Sequence, residues 1–112
     1  MQGGNLYVAD KNLGTVSEIL AANGIIPLVN PTINTLASGF NAPQAVAVDA
    51  AGNVFVADLG NDAVKKILAV GGSIPANNPT INTIYQAPCP TGVAVDTSGN
   101  VYVAAAALIC QS

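Results

Sequence analysis

Five of the six carboxylates in this 112-residue chain are aspartates, and they sit in short stretches rich in glycine and asparagine. Asp49 and Asp96 each open the pattern Asp-x-x-Gly-Asn, which ends at Asn53 and Asn100. Carboxylate and amide oxygens so spaced are the hard ligands that calcium takes. The same residues also make a tight turn, because an Asp side chain accepts from backbone N–H groups ahead of it and Gly-Asn relieves the bend. The turn role is the one these residue types favour. Asp10, Asp58 and Asp62 fall in the next connection. Asp58 and Asp62 could join carboxylates of neighbouring units around a central cation, or could cap their own turn. Asp49, Asp58, Asp62 and Asp96 are therefore weak metal candidates, with calcium the one cofactor they suggest. The chain has no histidine, so acid–base work would fall to aspartates alone. No residue is assigned a catalytic role, and the chain is not read as an enzyme.

Charge narrows the partners further. Three lysines (Lys11, Lys65, Lys66) and no arginine give a net charge of -3. A nucleic-acid binder needs a basic stripe to neutralise phosphates, and none is present. Lys65, Lys66 and Glu18 read as solvated edge charges. Hydrophobic residues make up 51% of the chain and charged ones 8%, so a large apolar surface must be covered by something. The longest apolar run, Val101 to Cys110, is too short to span a bilayer as a helix. Met1 to Gly4 offers no basic or apolar leader segment. Cys89 and Cys110 are too few for a zinc site without histidine. They are a disulfide candidate or two buried thiols, and a bridge would place the protein in an extracytoplasmic or secreted setting.

The elements that position these residues repeat. The hexapeptide NPTINT occurs at Asn30 to Thr35 and again at Asn78 to Thr83, 48 residues on. Asn5 to Asp10 (NLYVAD) recurs as Asn53 to Asp58 (NVFVAD) at the same shift, and as Asn100 to Ala104 (NVYVA) 47 further. Val46 to Asp49 recurs as Val93 to Asp96. The whole chain is one domain, 1–112, of units at about 1–39, 40–86 and a partial 87–112.

Each unit reads as short β-strands. In the full unit they run over Gln44 to Asp49, Val54 to Ala57, Ala63 to Val70 and Thr80 to Gln86. Four strands in about 47 residues is the spacing of a β-propeller blade, a four-stranded antiparallel sheet. Both faces of Val46 to Val48 and Val54 to Ala57 are apolar, so neighbouring sheets must cover both. Tyr7, Phe55 and Tyr102 share one repeat position and read as packing between sheets. Thr32, Asn34, Thr80 and Asn82 alternate with Ile33 and Ile81, as a half-exposed outer strand should.

The stretches PQAVAVDAAGNVFVADLGNDAVKKI and PTGVAVDTSGNVYVA resemble the NHL repeat. That resemblance implies a β-propeller, most often six-bladed, and a family of protein- or RNA-binding platforms, extracytoplasmic sensors, and lyases or hydrolases. The basic face of the RNA binders and the histidines of the enzymes are missing here. The first copy lacks its opening strand, and the last loses the Asp after Val-Tyr-Val-Ala.

About two blades cannot close a ring alone. Copies of the chain are the expected partner. The strand at Thr91 to Asp96 of one chain would complete the first unit of the next, and three chains would give about six blades. One strand is then duplicated, since Asn100 to Ala104 repeats what Asn5 to Ala9 supplies, so an open fibre is the other expectation. The assembly residues are Asn5, Leu6, Tyr7, Val8, Val93, Val95, Val101, Tyr102 and Val103. The expected function is a self-assembling binding or structural platform of unassigned ligand. The alternatives are a propeller lyase or hydrolase with an aspartate or metal centre, and a truncated or engineered propeller fragment with no activity of its own.

Overall fold

The computed structural model describes residues 4–106. Within them the chain is all-β, with nine strands in three antiparallel sheets that follow one another along the sequence. The first sheet has β1 (Leu6–Asp10), β2 (Thr15–Ile19) and β3 (Ile33–Ala37), in that order. The second has β4 (Pro43–Val48), β5 (Val54–Asp58), β6 (Ala63–Ile67) and β7 (Ile81–Gln86). The third pairs β8 (Pro90–Val95) with β9 (Val101–Ala105). No helix among the described residues is long and apolar enough to cross a membrane.

The repeat extends to the irregularities. The β2–β3 pairing slips between Val16 and Ser17, and the β6–β7 pairing slips at the matching place, between Val64 and Lys65. Likewise β4–β5 slips between Pro43 and Ala45, and β8–β9 between Pro90 and Gly92. Each slip inserts one residue and bends its strand, so sheets of the same curvature recur. Left-handed backbone recurs too. Asn30 (φ 51°) matches Asn78 (φ 48°), and Ala42 (φ 54°) matches Cys89 (φ 50°).

This explains NPTINT. Each copy opens with an asparagine in the left-handed region, which Asn tolerates better than other non-glycine residues. Proline then cannot donate, and the threonine carbonyl begins the outer strand. Leu20 N–H donates to the Thr32 carbonyl and Leu68 N–H to the Thr80 carbonyl, both at 2.9 Å. The expected alternation of burial does not appear. All six residues of β7 are exposed, and Ile33 is as open as its polar neighbours. Both faces of β7, and of β3 up to Thr35, lie beyond the cover of the adjacent sheet, and only the end of β3 at Leu36 and Ala37 reaches it.

The core lies between the first and second sheets. Val16, Ala37 and Phe40 pack on Val54, Val56 and Ile67, with Tyr7, Val46 and Val48 at the margin. Strand residues alternate in direction, so Phe55 and Ala57 point the other way, toward the third sheet. There β5 lies against β8 as β1 lies against β4. All of β5 is buried, from Val54 to Asp58, because it is sandwiched on both faces.

Candidate functional site

Asp49 and Asp96 build the same turn twice. Asp49 Oδ1 accepts from Ala51 N at 3.0 Å and Asn53 N at 2.9 Å, and Oδ2 accepts from Asn53 Nδ2 at 2.9 Å. Asp96 Oδ1 accepts from Ser98 N at 3.0 Å and Asn100 N at 2.8 Å, and Oδ2 from Asn100 Nδ2 at 3.0 Å. Gly52 and Gly99 close these turns at φ 91° and 88°, where a Cβ would be strained. Asn53 Oδ1 then reaches across to accept from Ala69 N at 2.8 Å, and Asn5 Oδ1 does the same for Ala21 N at 2.8 Å. This Asn thus ties the start of one strand to the end of the next strand in its sheet.

Both turns line one open hollow of about 660 Å³, with Val48, Ala50, Val95 and Thr97. Their carboxylate oxygens are directed into their own turns. Tyr102 Oη adds a further donor to Asp96 Oδ2 at 2.8 Å. The Asn100 amide, the Asn100 N–H and this phenol hold the Asp96 carboxyl below its usual range. Among the described residues no three histidine, cysteine or acidic side chains converge on one point.

Asp58 and Asp62 go separate ways. Asp58 is fully buried. It accepts from Asn41 N at 2.7 Å and Asn61 Nδ2 at 2.8 Å, and forms an ion pair with Lys65 Nζ at 2.9 Å. This revises the reading of Lys65 as a solvated edge charge. Its Nζ also lies 5.8 Å from the centre of the Phe40 ring. The pairing of β5 with β6 sets Val56 opposite Lys65 and Asp58 opposite Ala63, so Asp58 and Lys65 share a face on a diagonal. The register of β5 against β6, which sequence spacing alone does not give, is what brings this pair together. Asp62 is exposed at the end of the 3₁₀ turn Leu59–Asn61, with φ 50°, and its Oδ1 accepts from Cys89 N at 3.1 Å. Asp10 caps its own turn, accepting from Asn12 N and Leu13 N at 3.1 Å each.

One repeat position carries two different chemistries. Tyr7 stands opposite Glu18, and its Oη donates to Glu18 Oε2 at 2.9 Å, beside Asn5 Nδ2 at 2.8 Å. Burial first, then the Glu18 carboxylate, raise the Tyr7 phenol to about 12. At the equivalent place Phe55 stands opposite Lys66, whose Nζ lies 5.5 Å from the ring centre. Tyrosine with glutamate gives a hydrogen bond, and phenylalanine with lysine gives a cation–π contact.

The assembly candidates separate by sheet. Val93, Val95, Val101 and Val103 are half-buried against the second sheet, while Tyr102 points away from it. In the first sheet Tyr7 joins the core and Asn5 is half-buried, whereas Leu6 and Val8 are exposed. Cys89 is buried and is not a free thiol. Cys110, its disulfide candidate, lies outside the described residues. No protein-family model matches this chain, and no curated protein matches it.

Proposed function

We propose that the chain is an NHL-like β-propeller segment that works by assembly, as a binding or structural platform built from copies of itself. The observation that carries this reading is the exposure, in the outer sheets, of repeat positions that the middle sheet buries. The second sheet has four strands. Among the described residues the first sheet has three strands and the third has two. Each outer sheet carries positions that the repeat buries in the middle and that stand open at the margin. Leu6 and Val8 are 51% and 42% exposed, while Val54 and Val56 at the same positions are at 0%. Apolar surface at both ends of a stacked repeat favours association.

Joined end to end, such units would form a ring or a fibre whose outer strands present the Thr-Asn ladders of NPTINT. The test is the mass of the protein in solution, by light scattering on a sizing column. A discrete oligomer supports a ring, and a large polydisperse species supports a fibre. A monomer at all concentrations overturns the assembly reading.

A further inference from the structure

The two end faces are not alike, and each matches one side of an interface that the molecule already builds twice. Where the first sheet meets the second, the face bearing Tyr7, Val16 and Ala37 packs on the face bearing Val54, Val56 and Ile67. Where the second meets the third, the face bearing Phe55 is covered, leaving Phe55 4% exposed. Its cover is the side of β8 and β9 that carries Val93, Val95, Val101 and Val103. Every internal contact thus sets an aromatic-bearing face on a valine-bearing face.

The outward faces of the first and third sheets carry one of each. Leu6 and Val8 occupy the positions of Val54 and Val56, so the first sheet offers a valine-type face. Strand pairing adds Ile19 opposite Leu6, and Ile33 opposite Ile19, to that face. Tyr102 occupies the position of Phe55 but is 57% exposed. Ala94 lies directly opposite it on β8, and both Ala94 and Ala104 are exposed, so the third sheet offers an aromatic-type face. Asp10, the acidic residue nearest the first of these faces, is folded into its own turn.

Resting on the assembly reading, we propose that the partner is a second copy of this chain, docked head to tail. Its Leu6–Val8–Ile33 face seats on the Tyr102–Ala94–Ala104 face of the first copy. No strand has to leave its present neighbour, unlike a scheme in which β8 of one chain pairs with β1 of another. The described residues form three sheets per chain, so two docked chains stack six. The contact is heterologous, and it continues around a ring or along a fibre.

Two exposed positions test this, Val8→Lys and Tyr102→Lys, with circular dichroism and thermal melts to verify folding. Each variant alone should fall to the mass of a single chain, because each loses one of the two complementary faces. An equimolar mixture should recover a one-to-one complex, because one intact head and one intact tail remain. If the wild type assembles but the mixture stays monomeric, the docking is overturned and the assembly reading survives. If Tyr102→Lys assembles like the wild type, strand exchange replaces docking. A monomeric wild type sinks both.

Discussion

Lys65 Nζ sits 2.9 Å from the carboxylate of Asp58, which is wholly buried in the middle sheet. The first sheet has Asp10 and Ser17 at the same repeat positions and no such pair. The charge of Asp58 is therefore compensated by one lysine that belongs to its own repeat alone. Removing one partner of a buried pair typically costs about 3–5 kcal/mol, because the other charge stays buried. Lys65→Met should lower stability toward the bottom of that range, about 3 kcal/mol, since Asn41 and Asn61 still donate to Asp58. Chemical denaturation measures it. Asp58→Asn combined with Lys65→Met should lose less than the sum of the two single changes. Strict additivity would mean that the pair is not coupled.

Tyr7 makes a prediction in alkali. Its phenol titrates at about 12 in the folded protein against an ordinary 10.0. The folded chain holds a proton that the unfolded chain releases first. The stability contributed by this group is therefore complete below pH 10 and is lost as pH rises from 10 to about 12. Tyr7→Phe should abolish that alkaline component, and at neutral pH it should cost about 1 kcal/mol for the lost bond to Glu18. Denaturant midpoints against pH for both proteins settle the matter. Parallel curves above pH 10 would contradict it.

Asn30 and Asn78 should respond as backbone positions. Asn78→Ala forces a Cβ without polar compensation into a left-handed conformation, at about 1 kcal/mol. Asn78→Gly should be close to neutral there. The paired changes at Asn30 and Asn78 should add, since the two loops belong to different sheets. Thermal melts of the four single variants and the two doubles provide the check. A larger loss for Gly than for Ala would mean that the asparagine side chain, not its φ, matters.

Strands and turns were legible because their signals are local. Valine alternation around Val46 and Val54 marked strands, and Asp-x-x-Gly-Asn at Asp49 and Asp96 marked the hairpin turns. The partners of Asp58 were not legible in this way. Lys65 reaches it only after the β5–β6 register is fixed, and a carboxylate in a run ending at a turn looks like any other cap. The exposure of Ile33 and Ile81 was also hidden. Alternation assumes that one face of a strand is covered, and how far a neighbouring sheet extends is a property of the stack. Tyr102 shares its position with buried Phe55, yet its burial is decided by whether another sheet lies against it.

The mismatch between Tyr7–Glu18 and Phe55–Lys66 bears on how a repetitive chain avoids tangling with itself. Strands with nearly the same sequence can pair with the wrong sibling, a characteristic hazard of repeat proteins. Here a swapped β2 would set Glu18 against Phe55, and a swapped β6 would set Lys66 against Tyr7. The first exchange places a carboxylate on an aromatic face that attracts cations, and the second strips the phenol of its acceptor. One position with opposite charges in successive copies acts as an address label. It marks each hairpin for its own sheet while the backbone around it stays interchangeable.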